Sequence, residues 1–241
     1  MPGPESCRKH PRHPVVLSIV YQRTDSDGTG RGVGWTRNLS EGGACLELGE
    51  ALPQGTALRV ALQADQRRLW MDAEVVWAGR AGEVTDGVPH GIAFVQVTGE
   101  QAKALGGLVT RLGRLRDVAV RVPLHRPVAC RVAGDSIPPL QGQTGEISRS
   151  GLSVSLPGRL PEASEVEVTL PTIEGPLRVR AKVVWVAPAG GNPGEGVHHG
   201  LEFRGLNWED EVSLGLLVAE DGEDPPEPPE GAGGRPVGQR E

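Results

Sequence analysis

Aromatic residues are scarce: five Trp, one Tyr and two Phe in 241 residues. They are Trp35, Trp70, Trp77, Trp185, Trp208, Tyr21, Phe94 and Phe203. Eight rings cannot dominate a core, so aliphatic packing must supply it. Cysteine is scarcer still. Cys7, Cys45 and Cys130 are odd in number and far apart, which excludes a disulfide framework. A reducing cytoplasm is the expected compartment, with Cys45 and Cys130 as small buried hydrophobes. No apolar run approaches the roughly 18–20 residues of a membrane span. The opening Met1-Pro2-Gly3-Pro4-Glu5 has no apolar stretch, so no signal peptide and no membrane partner are expected. Lysine is nearly absent, at 3 against 22 arginines. The body also lacks net charge. The formal charge is −6, but residues 220–241 hold seven acids and two bases, which accounts for −5 of it. That tail is rich in Pro, Gly and acid and has almost nothing to bury, so it reads as disordered.

Turn residues are abundant instead, with 35 Gly and 21 Pro. An internal repeat organises them. Asn38-Leu-Ser-Glu-Gly-Gly43 matches Glu146-Ile-Ser-Arg-Ser-Gly151 at an offset of 108. Leu69–Trp77 matches Leu177–Trp185 at the same offset, and His90-Gly-Ile-Ala-Phe94 matches His199-Gly-Leu-Glu-Phe203 at 109. Upstream, Arg8 and Pro14 match Arg121 and Pro127 at 113. The five-residue excess reads as a longer first hairpin in copy one, the Gly-rich Thr24–Gly34 stretch. A period above 100 residues means a duplicated domain, not a solenoid. Within each copy the period is two. Leu69, Met71, Ala73, Val75 and Trp77 alternate with mostly polar residues, as do Leu177, Val179, Ala181, Val183 and Trp185. Six strands are expected per copy, near 15–22, 32–38, 43–48, 56–63, 68–78 and 89–97, then 126–133, 140–147, 151–156, 164–170, 177–187 and 198–204. Such short antiparallel strands suggest closed barrels. A helix follows each: one from the capping box Thr98-Gly-Glu-Gln101 through Leu105, Leu108, Leu112 and Leu115, one from about Asn207 to Ala219. The fold class is mostly β, with two six-stranded antiparallel barrels, a helix after each, and the tail. The expected domains are 1–117, 118–219 and the tail 220–241, with a seam near Arg116–Ala119.

Two groups of residues could carry chemistry. Arg8-Lys-His-Pro-Arg12 places two arginines four apart on an extended segment, because Pro11 and Pro14 oppose a helix. Asn38-x-Ser40-x-x-Gly43 lies at a turn between strands. Arg12 and Asn38 are 26 positions apart. Together these motifs, with the barrel pattern, the Val-Val-Trp strand ends and the His-Gly-x-x-Phe strands, resemble the PilZ domain, the bacterial receptor module for cyclic di-GMP. The resemblance covers about 8–116 and 121–219. It implies PilZ-type barrels and a ligand site of Arg8, Arg12, Asn38, Ser40 and Gly43, with Lys9 and Arg37 as accessory contacts. Guanine presents O6 and N7 together, which Arg meets bidentately. Asn38 can bond a base edge, Ser40 can bond phosphate or hold the turn, and Gly43 permits close approach. The ligand is cyclic di-GMP; no cofactor and no metal are implied.

Copy two departs from this pattern. His125 stands where the second arginine of Arg121-Val-Pro-Leu-His125 should be, although Arg126 follows, and Glu146 replaces Asp/Asn. Ser148 and Gly151 remain. This degenerate second site is expected to serve architecture or a protein partner. Other patterns are weak. Cys7-x-x-His10-x-x-His13 lacks a fourth zinc ligand. Gly28-x-Gly30-x-Gly32-x-Gly34 lacks the Lys-Ser/Thr of a phosphate loop. Asp25-x-Asp27-Gly28 lacks the closing Glu of a calcium loop. His198-His199 reads as packing. No nucleophile–base pair is evident, so no enzyme is expected. Residues 101–134 hold seven basic residues and one acid, but no DNA-reading motif accompanies them, so nucleic acid is disfavoured. The reading is a cytoplasmic cyclic di-GMP effector, with binding transmitted by rearrangement against copy two or an unidentified protein partner. The resemblance implies output in motility, surface polysaccharide or development. The alternatives are a non-liganding interaction module and, less well supported, a nucleic-acid-binding regulator.

Overall fold

The computed structural model describes residues 10–24, 30–64, 67–79, 87–112, 120–188 and 196–220. Arg8, Lys9, Cys7, the Asp25–Gly28 segment, the seam near 116–119 and the tail beyond Glu220 lie outside them. The first barrel contains β1 (Ser18–Arg23), β2 (Arg31–Ser40), β3 (Gly43–Leu48), β4 (Ala57–Ala64), β5 (Arg67–Ala78) and β6 (Val88–Phe94). All pairings are antiparallel, in the closed order β1-β2-β3-β6-β5-β4. Helix α1 (Gly99–Leu112) follows. A two-residue strand β7 (Val122–Pro123) leads into the second barrel: β8 (Pro127–Val132), β9 (Leu140–Ser148), β10 (Gly151–Leu156), β11 (Glu165–Thr172), β12 (Gly175–Val186) and β13 (Val197–Arg204). Its order is β10-β13-β12-β11-β8-β9, closed by the β10–β9 pairing, with β7 added on β9. Helix α2 (Trp208–Glu220) ends the described chain.

Period-two patterning builds the walls. On β5, Met71, Ala73 and Val75 face a core that also buries Leu17, Leu46, Leu48, Leu62 and Ile92. On β12, Leu177, Val179, Ala181 and Val183 do the same for the second core. The alternation ends before Trp77 and Trp185. Bulges between Val75 and Trp77 and between Val183 and Trp185 turn both indoles outward, where they are 40% and 38% exposed. Each indole lies flat on a glycine of the neighbouring strand. A Cβ at Gly91 would sit 1.8 Å from Trp77 Nε1, and one at Gly200 would sit 1.9 Å from Trp185 Nε1. Beside each glycine a histidine is fully buried. His90 Nδ1 donates to the Val88 carbonyl (2.8 Å) and its Nε2 accepts from Leu52 N (2.9 Å). His199 Nε2 accepts from Leu160 N (3.0 Å). These histidines staple loops to barrels, and burial holds both below the ordinary imidazole pKa.

The helices are capped as expected. Gln101 N donates to Thr98 Oγ1 (3.2 Å) and Thr98 N to Gln101 Oε1 (2.9 Å). Asn207 and Asp210 exchange the same pair at the start of α2, at 3.2 and 2.9 Å. In α1, Gly106 and Gly107 each cost about 1 kcal/mol relative to Ala. Burial of Leu105, Leu108, Val109 and Leu112 against the first core, at about 1.5–3 kcal/mol per large side chain, outweighs that. Helix α2 serves both barrels. Leu214, Leu217 and Val218 complete the second core. Val212, Leu216 and Ala219 pack on Val20, Val33 and Ala61 of the first barrel's outer wall. Trp35, on β2, is buried in this junction and donates Nε1–H to the Glu211 carbonyl (3.2 Å).

Hydrogen bonds fix how the two copies correspond, and correct the upstream alignment. Thr36 Oγ1 accepts from Leu17 N (2.9 Å) and donates to the Val15 carbonyl (2.6 Å). Thr144 Oγ1 does the same with Arg126 N (2.9 Å) and the Leu124 carbonyl. His13 bridges to Leu39, and Val122 pairs with Ile147. The upstream offset is therefore 109, not 113, and the first hairpin is one residue longer in copy one, not five. Arg121 corresponds to Arg12, whereas His125 and Arg126 correspond to Val16 and Leu17.

Candidate ligand-binding corner

The segment after Arg8 is held against the end of β2. His13 N donates to the Leu39 carbonyl (2.9 Å) and Leu39 N to the His13 carbonyl (3.0 Å). His10, in the middle of the Arg8–Arg12 motif, lies 3.4 Å from Glu41 in the β2–β3 turn. The two motifs thus meet. The turn owes its shape to Ser40 and Gly43. Ser40 Oγ donates to the Gly43 carbonyl (3.0 Å), and a Cβ at Gly43 would stand 2.1 Å from the Ile92 carbonyl oxygen. Ser148 and Gly151 repeat this arrangement in the second barrel, at 3.2 and 2.2 Å. Both residue types therefore shape the barrel corner.

Arg37 and Asn38 distinguish the first corner, Arg12 being matched by Arg121 in the second. Arg12 is exposed, with no carboxylate within ion-pairing distance among the described residues. A bulge between Thr36 and Asn38 leaves Arg37 unpaired in the ladder and turns its side chain outward to Glu47 (2.8 Å). Asn38 sits opposite Cys45. Burial raises the Cys45 thiol pKa, and the positive charges of Arg37 and Arg12 partly offset that rise. Asn38 Oδ1 is buried and has no hydrogen-bond partner among the described residues. Such an orphan costs about 1–3 kcal/mol, which a donor arriving from outside would recover.

The second barrel's counterpart is occupied from within. Arg121 lies 4.0 Å from Glu146, the residue at the Asn38 position. Arg126 is drawn to Glu220 at the end of α2 (3.3 Å), and His125 is exposed. Neither of the last two joins Arg121. Within the basic run 101–134, Arg126 pairs with Glu220 and Arg131 with Glu167.

Sequence reasoning missed the groups beside the first corner. Arg149, in the β9–β10 turn of the second barrel, reaches Glu47 (2.5 Å) and Glu211 (2.6 Å), with its guanidinium 5.9 Å from the Trp35 ring centroid. Burial works against its charge, but Glu211 and Glu47 outweigh that and hold it firmly protonated. Pro14, Val16, Arg37, Glu47 and Arg149 line a cleft of about 390 Å³ between the barrels. Arg149 occupies the Glu41 position of the repeat, and that reversal of charge was the signal available. Among the described residues no group of His, Cys, Asp or Glu is placed to hold a metal, and no helix is long and apolar enough to cross a membrane.

Two closed six-stranded barrels, each with a trailing helix and an incoming segment laid on the end of its sheet, define a tandem β-barrel architecture. The PilZ domain family profile matches residues 7–111 and 116–220, and the chain belongs to that family. The two matches stand 109 apart, as the hydrogen bonds require. Similar solved structures include the PilZ domain of CeSA from a cellulose-synthesising bacterium, 25% identical, covering 42% of this chain and 95% of that one, with a TM-score of 0.33. Borreliella burgdorferi PlzA in complex with c-di-GMP is 11% identical, covering 86% and 88%, with a TM-score of 0.37. Escherichia coli YcgR in complex with c-di-GMP is 12% identical, covering 85% and 83%, with a TM-score of 0.33. No curated protein matches the chain significantly.

Proposed function

We propose that the chain is a cyclic di-GMP receptor that takes the ligand at the first barrel's corner, and that it is a binding protein, not an enzyme. Arg8 and Arg12 close on guanine and phosphate from one side, Asn38 and the β2–β3 turn form the other, and Lys9 and Arg37 assist. The observation that carries this reading is Asn38 Oδ1, unpartnered among the described residues, next to the Arg37 bulge and to the strand end on which the Arg12 segment is laid. A guanine N–H satisfies that oxygen, and an arginine fork satisfies the O6/N7 pair. The ligand's negative charges supply the counter-charge that Arg12 lacks.

Transmission runs through Glu47. Arg37 and Arg149 share this carboxylate. An anion that draws Arg37 away leaves Glu47 to Arg149 alone, and any shift of Arg149 is felt at Glu211 and Trp35 on the α2 junction. Ligand thereby shifts the population of barrel–barrel arrangements, by no more than its differential affinity for them. The output is a protein partner that reads this arrangement. Calorimetry of the full chain with cyclic di-GMP tests the reading: saturable heat is expected, and no heat at tens of micromolar overturns it.

A further inference from the structure

The second barrel carries a basic face that neither the ligand corner nor the α2 junction uses. On its outer wall, Arg131 (β8), Glu167 (β11), Arg180 (β12) and Arg204 (β13) stand side by side across four strands. Ala129, Thr169 and Arg178 form the next row. These two rows, Arg204 excepted, line with Pro139 a depression of about 500 Å³. The acids here are already engaged: Glu167 pairs with Arg131, and Glu202 with Arg204 (2.8 Å). Arg178 and Arg180 have no carboxylate at ion-pairing distance among the described residues. Both act electrostatically on Glu167, which is bonded to Arg131. Three arginines thus share one carboxylate over a shallow hollow with a threonine hydroxyl, a surface that suits an acidic extended peptide.

Such a peptide begins next to the face. Helix α2 ends at Glu220, which pairs with Arg126, one residue before β8, and lines a groove with Ile173 from the β11–β12 hairpin. The row Ala129–Thr169–Arg178 starts three residues along β8 from Arg126, about 10 Å at the strand rise. Residues 221–230 read Asp-Gly-Glu-Asp-Pro-Pro-Glu-Pro-Pro-Glu, five acids and no base. Ten residues span up to about 33 Å, ample for both rows. Their four prolines lower the entropy lost on docking in an extended form. The tether supplies an effective concentration on the order of millimolar, so even a weak contact is populated.

We propose that residues 221–230 dock on the Arg131–Arg178–Arg180 face and shield it from other polyanions. The test compares the full chain with a full-length D221N/E223Q/D224N/E227Q/E230Q variant, using a fluorescent peptide of residues 221–231 as probe. The peptide is expected to bind the neutral-tail variant at least about tenfold more tightly than the wild type. It should lose that binding when R178E/R180E is added; both side chains are exposed, so the fold is not at stake. Equal binding to wild type and neutral-tail variant, binding that survives R178E/R180E, or no binding to any chain overturns the proposal. Duplex DNA is the second probe. If it binds wild type as well as the neutral-tail variant, the face is open to nucleic acid and the shielding is refuted. Cyclic di-GMP affinity is expected to be the same in every variant, which keeps this test separate from that of the ligand corner.

Discussion

The two barrels share a corner and differ in what faces it. Both have a Ser–Gly turn, an arginine on the incoming segment and a short pairing that lays that segment on the sheet. In the first, Asn38 stands at this corner with its oxygen unpartnered among the described residues. In the second, Glu146 takes that position and lies 4.0 Å from Arg121. The second corner thus carries its own counter-charge, and it has Gly145 where the first has Arg37. The Ser–Gly turn recurs in both because it shapes the barrel corner; in the proposed function, the binding chemistry rests on Arg8, Arg12 and Asn38, with Arg37 assisting. The second corner meanwhile turns Arg149 toward Glu47 of the first barrel, so in that proposal the first copy binds and the second braces.

The sharpest way to break this contrast is to move the second corner's residue into the first. Asn38→Glu gives Arg12 an internal partner and sets a carboxylate against an anionic ligand. Cyclic di-GMP affinity should fall by about 2–4 kcal/mol, roughly 30- to 1,000-fold, by calorimetry. The Trp–Gly stacks test what the barrels share. Gly91→Ala or Gly200→Ala drives a Cβ into an indole, and either should cost about 1–3 kcal/mol in urea denaturation with a shift in Trp emission. Equal stability and unchanged emission would show that the stacks are dispensable.

The contact between the unlike copies comes next. Arg149→Ala leaves Glu211 without its arginine and Glu47 with Arg37 alone. Because Arg149 is partly exposed, the expected loss is about 1–2 kcal/mol, read as a lower denaturation midpoint together with increased exchange of Trp35 Nε1–H. The smallest effect is shared. His90 and His199 are buried neutral, with folded pKa values below their unfolded ones. Below about pH 6.5 the unfolded chain takes up protons that the folded chain refuses, so stability is full above that value and declines as pH falls beneath it. A midpoint that is flat from pH 7.5 to 5.5 would contradict this.

Much of this was legible in the sequence. Period-two runs placed all twelve barrel strands, because each wall buries one face. The first helix cap was legible in the Thr98/Gln101 pair, whereas the second was marked only by Asn207, and its exchange with Asp210 is seen in the structure. The copies were misaligned upstream because Arg8 and Pro14 were matched to Arg121 and Pro127 by residue type. The register is set instead by the Thr36 and Thr144 hydrogen bonds, which leave no such mark. The outward turn of Trp77 and Trp185 was missed because a bulge interrupts alternation without changing composition. Glu47 and Arg149 are 102 positions apart, and no local pattern predicts their meeting. The ligand corner was read as a motif; that Asn38 keeps an unpaired oxygen there is a property of packing alone.

Parallel calorimetric titrations of wild type, Arg12→Ala and Arg121→Ala with cyclic di-GMP address the central contrast directly. Arg12→Ala should lose about 1–3 kcal/mol, roughly 5- to 150-fold in affinity, while Arg121→Ala should match wild type in affinity and stoichiometry. Equal losses in the two variants, or a loss confined to Arg121→Ala, would contradict the assignment of the ligand to the first barrel.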